Sequence, residues 1–186
     1  MQMPWPITRE IVLVGGGHSH ALVARMWGMR PLAGARLTMI SPHPNAAYSG
    51  MLPGALAGHY APQDIEIDLV RLARFANARL ILDPATEIDR AAKQVILKGG
   101  RRIAYDTLSI DIGITTDMPA LSGFSEHALP VKPLERFAAV WEAFVADAPK
   151  AARIAMIGGG VAGVEVAMAV AHRLRGTGCK VDITIF

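Results

Sequence analysis

Short apolar runs that end at glycine mark two similar places in this chain. Residues 11–14 lead into Gly15-Gly16-Gly17, and residues 153–157 lead into Gly158-Gly159-Gly160. Such continuous runs are typical of strands buried on both faces of a parallel sheet. A helical pattern follows each, over 20–29 and 163–175, and then a second strand, over 36–40 and 181–186. The chain is therefore predicted to contain two β-α-β units, 143 positions apart.

The stretch between the two units predicts more of the sheet and one long loop. Strands over 79–82 and 107–112 continue the parallel sheet, and helices are predicted over 68–76 and 134–148. Residues 87–97 and 102–105 suggest an antiparallel meander. Residues 41–60, rich in Pro, Gly, Ala, Asn and Tyr, form a long irregular segment of a commonly functional kind. Residues 115–130 are predicted to connect elements.

The predicted fold class is α/β, a Rossmann-like nucleotide-binding fold. It has a parallel sheet, an inserted antiparallel β-meander at about 85–105 and the start of a second Rossmann unit. We expect a first domain over 1–150 and the beginning of a second, truncated domain over 151–186. A chain of 186 residues is too short for two complete domains of this kind.

Composition and charge exclude several other classes. The chain is 52% hydrophobic and 19% charged, as in ordered globular proteins. Its net charge of +3 comes from scattered Lys and Arg without interleaved aromatic residues, which does not favour nucleic-acid binding. The single cysteine, Cys179, rules out an internal disulfide, a CxxC redox pair and a cysteine-built metal site.

Residues 1–6 lack a basic region followed by an apolar run, so no signal peptide is predicted and a cytoplasmic location is expected. Residues 154–171 are apolar apart from Glu165 and could by length span a bilayer. Three consecutive glycines and a central carboxylate argue against a membrane span.

The downstream glycine turn, Gly158-Gly159-Gly160-Val161-Ala162-Gly163, meets every position of G-x-G-x-x-G. The first glycine permits the bend, the second lets the backbone approach a pyrophosphate, and the third lets helix and strand pack closely. The phosphates then lie at the helix N-terminus, whose free N–H groups favour an anion. The acid that would bind the ribose falls at or beyond Phe186, so the choice between NAD and NADP stays open.

The upstream turn departs from this pattern at two positions. His20 stands in place of the third glycine, and Ser41, followed by Pro42, stands where the ribose-binding acid is expected. His18 and His20 could be catalytic or metal-binding. They could instead lie at a helix start, one capping or touching phosphate and the other packing, and the lack of nearby carboxylate or cysteine ligands favours this second interpretation. No metal site is predicted.

These motifs together resemble the pyridine nucleotide-disulfide oxidoreductase superfamily, within it the type II NADH dehydrogenase-like and sulfide:quinone reductase-like flavoproteins. The segments 14–20 (VGGGHSH), 48–54 (YSGMLPG) and 126–132 (EHALPVK) resemble most closely the branch often fused or adjacent to selenide, water dikinase. The likeness runs over nearly the whole chain.

The resemblance implies that the first unit holds FAD and the second NAD(P)H. The expected FAD contacts are Gly15, Gly16, Gly17, His18 and Ser19 at the pyrophosphate, Ser41 and Pro42 near the ribose, and the backbone of Ala85 at the adenine. Residues 105–113 (YDTLSIDIG) resemble the second FAD fingerprint, with Asp111-Ile112-Gly113 in place of Ala-Thr-Gly, so Asp111 and Gly113 join this set. The expected NAD(P)H contacts are Gly158, Gly160, Gly163 and Glu165.

Four residues are candidates for the redox site, and each has an ordinary alternative. Glu165, in the first turn of its helix, either complements the helix N-terminus or lies beside the nicotinamide and the flavin edge. Lys132 is either a solvated loop lysine or a cation facing the flavin. Tyr48 and Ser49 belong to the long loop, which is either an ordinary lid or part of the site.

The implied reaction passes hydride from NAD(P)H through the flavin to a quinone or other small acceptor. Cys179 lies at the far end of the second helix, so the dithiol of disulfide reductases has no counterpart. The family completes its FAD site with a later segment, so we expect an N-terminal portion that holds FAD weakly or not at all and needs the C-terminal part of the same protein. Peripheral contact with the inner face of the membrane is left open.

An alternative from another class is a non-catalytic dinucleotide-binding sensor or accessory module. It would serve selenium metabolism in association with selenide, water dikinase. Reduction of bound flavin by NADH separates the two functions, because only the oxidoreductase requires it.

Overall fold

A computed structural model describes residues 6–114, 122–147 and 149–186. The expectations for residues 1–5, for 115–121 in the connecting segment and for Ala148 at a predicted helix end lie outside the described residues. The chain divides into two compact units. Unit 1 runs to residue 46 and again over 67–113, and unit 2 comprises 47–66 and the chain from 114 onward.

Strands and helices alternate in the two β-α-β units at either end of the described chain, whereas residues 79–110 contain five successive strands. The strands are β1 (Arg9–Val14), β2 (Ala35–Ser41), β3 (Asn45–Ala47), β4 (Glu66–Asp68), β5 (Arg79–Leu82), β6 (Ala85–Asp89), β7 (Gln94–Leu97), β8 (Arg102–Ala104), β9 (Thr107–Ile110), β10 (Ala151–Met156) and β11 (Lys180–Ile185). The α-helices are α1 (His18–Met29), α2 (Leu52–Leu56), α3 (Leu69–Phe75), α4 (Phe124–His127), α5 (Leu134–Ala146) and α6 (Val161–Gly176). Ser49–Met51 and Pro62–Ile65 form 3₁₀ turns.

Unit 1 is built on a parallel sheet with the strand order β5-β2-β1-β9. Because neighbouring side chains on a strand point to opposite faces, Val12 and Leu13 enter different cores. Leu13 packs with residues of α1 and α3, including Ala24 and Leu69. Val12 packs with Val95 and other residues of the antiparallel sheet β6-β7-β8. Both faces of the parallel sheet are thus covered, as the continuous apolar strands predict.

Unit 2 contains the second β-α-β pattern, with β10 and β11 parallel and α6 between them in sequence. Its core joins α6 to the short helix α2 and to α5. The Trp141 indole is 6% exposed and donates a hydrogen bond from Nε1 to the Leu56 carbonyl oxygen at 3.2 Å. Leu174, on α6, is fully buried in the same cluster.

The predicted parallel sheet, the meander and both β-α-β units are confirmed, with corrections at element ends. Helices α1 and α6 begin at His18 and Val161, two residues before the predicted starts, because Gly17 and Gly160 already cap them in an extended conformation. Strand β9 ends at Ile110, not at 112. The segment 41–60 was predicted to be irregular, but it contains β3, a 3₁₀ turn and α2.

Across the part of the chain that the structure describes, no helix combines the length and apolar character needed to cross a bilayer.

Candidate functional site

The residues expected to contact FAD follow the carboxyl ends of the four parallel strands of unit 1. Gly15 follows β1, Ser41 is the last residue of β2, Ala85 lies three residues after β5, and Asp111 follows β9. Parallel strands bring their carboxyl ends to one edge of a sheet, and open α/β sheets bind ligands at that edge. The structure therefore collects these four segments on one side of unit 1.

The first glycine turn is held by bonds to two neighbouring strands. Gly15 has φ +97° and donates its N–H to the Ile40 carbonyl at 2.8 Å, while Gly17 donates to the Asp111 carbonyl at 3.2 Å. A side-chain carbon on Gly15 would overlap the Asp111 carbonyl oxygen, and one on Gly16 would overlap the Leu69 side chain. Backbone packing thus requires glycine at position 15, whereas at position 16 the obstacle is the end of the Leu69 side chain.

His20 is the histidine of the H-x-H pair that packs inside unit 1. Its residue is 2% exposed, whereas His18 and Ser19 are exposed. Ring atom Nδ1 lies 2.9 Å from the Gly15 carbonyl oxygen, and Nε2 lies 2.9 Å from Ser109 Oγ. A carbonyl oxygen can only accept, so Nδ1 carries a hydrogen and donates it to the Gly15 carbonyl oxygen, while Nε2 is within hydrogen-bonding distance of the serine hydroxyl. His20 therefore links β1 to β9 where a third glycine would leave no link.

Asp111 caps helix α1 from the end of another strand. Its own N–H donates to the Val14 carbonyl at 2.8 Å, and its Oδ2 accepts the His20 N–H at 3.2 Å. The capping residue of α1, Gly17, has no side chain with which to accept a first-turn amide. Asp111 supplies that acceptor across 91 positions of sequence.

The sequence missed the contacts of His20 with Ser109 and Asp111. The predicted strand over 107–112 contained one signal for them, because Ser109 and Asp111 are two positions apart and residues so spaced on a strand share a face.

Ser41 ends β2 and Ala85 begins β6, and their contacts with a ligand stay predictions. Ser41 is 5% exposed, and its hydroxyl donates to the His43 carbonyl oxygen at 2.9 Å. The hydroxyl oxygen already accepts the His43 N–H at 3.4 Å and has one acceptor position left, while its hydrogen is engaged. The Asp83 N–H donates to the Ser41 carbonyl at 3.0 Å, which places the chain entering β6 beside the end of β2. Pro42 is exposed next to Ser41.

In the second glycine turn, packing requires glycine at different positions from those in the first. Gly158 has φ +114° and donates its N–H to the Phe186 carbonyl at 2.9 Å. A side-chain carbon on Gly163 would overlap the Gly158 carbonyl oxygen, whereas one on Gly160 would meet no described atom within 4 Å. Packing therefore requires glycine at 163 but leaves space at 160. The open space at 160 is where a bound group could approach the backbone.

The redox candidates all belong to unit 2. Glu165 is exposed, and the expectation that it lies in the first turn is wrong: α6 begins at Val161, so Glu165 is the fifth helical residue and the first turn holds no acid. Tyr48 is 37% exposed and precedes the 3₁₀ turn that Ser49 begins. Lys132 is half-buried in the segment between α4 and α5. Their catalytic roles stay predictions.

Comparisons with known proteins bear on both units. The sequence profile of the family described as pyridine nucleotide-disulphide oxidoreductase matches residues 9–185. Sulfide-quinone reductase of Aquifex aeolicus (strain VF5) is 29% identical over 108 residues, which are 58% of this chain and 25% of that protein. Demethylphylloquinone reductase NdbB of Synechocystis sp. is 36% identical over 97 residues, 48% of this chain and 24% of that protein. The chain thus spans about a quarter of the curated relatives it matches.

A solved structure confirms the fold class. The X-ray structure of the sulfide:quinone oxidoreductase from Aquifex aeolicus superposes with a TM-score of 0.75 at 24% sequence identity. The match covers 96% of this chain and 43% of that one.

Proposed function

The chain belongs to the pyridine nucleotide-disulphide oxidoreductase family, and from that premise we propose that it takes part in electron transfer from NAD(P)H to a quinone or another small acceptor. FAD is the group that would accept hydride and pass the electrons on, the role flavins have in such enzymes. The first glycine turn would hold FAD, and the second would hold NAD(P)H.

The observation that supports this proposal most is the convergence of segments at the carboxyl edge of the parallel sheet in unit 1. There the amino end of α1 lies at the same edge of the sheet as the segments that follow β2, β5 and β9. Among the described residues, the backbone amides of Gly16 and Ser19 have no acceptor. Amides of this kind at a helix start suit a pyrophosphate, so the residues present fit the ADP half of FAD.

The second turn fits a second pyrophosphate on different grounds. The space beside Gly160 admits a phosphate close to the backbone, and Gly163 lets α6 approach the Gly158 carbonyl. In this proposal the chain's residues bind and orient the two cofactors. The proposed acceptor draws on the two curated relatives, whose names specify quinone reductases.

In this proposal no thiol relay comes from these 186 residues. Cys179 is the only cysteine of these 186 residues, and it is free and buried at the end of the turn after α6. A lone buried thiol cannot form the dithiol pair through which disulfide reductases pass electrons. Direct transfer to a small acceptor is the route that this residue set supports. A quinone acceptor also makes peripheral membrane contact part of the proposal.

The test is reduction of flavin in the native protein isolated with its cofactor. Under anaerobic conditions NADH or NADPH is expected to bleach the flavin absorption band, and a soluble quinone analogue is expected to restore it. Gly160→Ala should raise the nucleotide concentration that gives half-maximal bleaching by about tenfold, which corresponds to a loss of about 1.4 kcal/mol in binding. The flavin content should stay the same. Gly176→Ala is the matched control, because its side-chain carbon would also meet no described atom within 4 Å. A flavin that neither nucleotide bleaches would refute the oxidoreductase proposal and favour a non-catalytic binding module.

A further inference from the structure

A carboxylate lies at the amino end of α1, where the proposed FAD pyrophosphate would be held. Oδ2 of Asp111 is 3.2 Å from the His20 amide nitrogen, and a side-chain carbon on Gly17 would overlap the carboxyl carbon and both of its oxygens. Two backbone hydrogen bonds, to Val14 and from Gly17, fix residue 111 to the turn. The carboxylate is therefore a built part of the turn and stays beside it when a ligand arrives.

The second turn lacks such a charge. Helix α6 has no acidic residue in its first turn, and the space beside Gly160 contains no described atom within 4 Å of a side-chain carbon placed there. The two turns present the same kind of helix start to an anion but differ in local charge. The second turn can therefore serve as an internal control for the effect of the Asp111 charge at the first.

The charge at α1 opposes what a helix start usually provides. A helix N-terminus carries a partial charge of about +0.5, and a full negative charge beside it more than cancels that attraction. Each further negative charge on a ligand then meets net repulsion. Binding at this turn must rely on amide hydrogen bonds and on contacts with the rest of the ligand.

We infer that Asp111 is a specificity-determining residue of the first turn, which selects the pyrophosphate diester of a dinucleotide against the terminal phosphates of free nucleoside diphosphates. The inference rests on the proposed function, because it takes the first turn to be a dinucleotide site. FAD and ADP share the adenosine diphosphate group, so the shape of that group cannot separate them. Charge can, because a terminal phosphate loses a second proton near pH 6 and a diester has no such proton.

The expected size of the effect follows from Coulomb's law. Unit charges a few ångströms apart at a wet surface change a dissociation constant by about three- to tenfold. Asp111→Asn keeps an oxygen that can accept the His20 N–H and removes the charge. The variant should therefore bind ADP about three- to tenfold more tightly at the first turn, with a smaller change for ADP-ribose, the diester probe.

The experiment titrates the ¹⁵N-labelled native protein, freed of its flavin, with ADP and with ADP-ribose. Amide shifts of Gly16 and Ser19 report the first turn, and those of Gly159 and Ala162 report the second, which should keep the same ligand preference in every variant. Glu10→Gln is the charge control, because it removes one negative charge near the amino end of β1, the opposite edge of the sheet, where Glu10 pairs with Arg36. Raising NaCl to about 0.5 M should reduce the preference for ADP-ribose in the wild type and leave Asp111→Asn unchanged.

The outcomes separate the inference from the proposed function. The preference for ADP-ribose over ADP at the first turn is compared in wild type, Asp111→Asn and Glu10→Gln. If it is equal in all three, the role of Asp111 is overturned and the dinucleotide site stands. First-turn amides that respond to neither ligand in any variant overturn the proposed function, and the inference with it. If Asp111→Asn does not fold, the salt dependence of the wild type decides, and a preference that salt does not reduce overturns the inference.

Discussion

Gly160 and Gly163 occupy the same turn and helix start, yet alanine should affect them differently. At Gly160 the new methyl group enters open space, and the backbone angles there, φ −71° and ψ 173°, are accessible to any residue. At Gly163 the methyl group would overlap the Gly158 carbonyl oxygen and lie 3.1 Å from the carbonyl carbon. Backbone atoms cannot rotate aside as the end of a side chain can, so α6 must move.

The size of the difference follows from two opposing terms. Forcing an extra carbon into a close-packed contact costs about 3 kcal/mol at the upper end of the usual range. Replacing a helical glycine with alanine stabilises the helix by about 1 kcal/mol. Gly163→Ala should therefore lower the free energy of unfolding of unit 2 by about 2 kcal/mol. Gly160→Ala should change it by less than about 0.5 kcal/mol.

Urea denaturation followed by tryptophan fluorescence measures both values. Trp141 lies in the unit 2 core, and phenylalanine at positions 5 and 27 would make it the sole reporter. Gly163→Ala with the same unfolding midpoint as Gly160→Ala would show that close packing of the helix on the turn is not what requires glycine at 163.

Two further predictions concern unit 1. His20→Phe should lower the free energy of unfolding by about 1–3 kcal/mol, because it leaves the buried Gly15 carbonyl without its partner. Ser109→Ala, at an exposed residue, should lower it by less than about 1 kcal/mol. An equal loss for both variants in urea titrations would contradict this ranking. Asp68→Ala should lower the free energy of unfolding by about 1 kcal/mol, because the Asp68 side chain accepts the Arg71 N–H at 2.8 Å and caps α3. In thermal melts Asp68→Asn should stay close to wild type. A large loss of stability in both variants would contradict a capping role.

Elements whose burial pattern is local were predicted correctly. Strand β5 was predicted with its exact bounds, and β1 and β2 to within two residues at each end, because apolar runs between glycines and polar residues need no distant partner to be recognised. The superfamily was also identified correctly from the glycine turns and the neighbouring motifs.

Elements that depend on distant partners were missed. Helix α2 is five residues long and contains Pro53 and Gly54, so its periodicity is too short to detect. It persists because Leu52 and Leu56, one turn apart, are buried in the unit 2 core. The contact of Asp111 with α1 was missed because it joins residues 91 positions apart.

The discontinuity of unit 2 has a consequence for synthesis of the protein. Residues 47–66 leave unit 1 and belong to a core whose other members come after residue 114. Leu56 bonds Trp141, 85 positions later, so at about 5–20 residues per second the apolar face of α2 waits roughly 4–17 s for its partner. Within that interval the remaining strands of unit 1, up to β9 at Ile110, are synthesised, while Leu52 and Leu56 remain available to chaperones or to wrong partners. A nascent chain of this protein is therefore most vulnerable in the segment that the finished fold buries last.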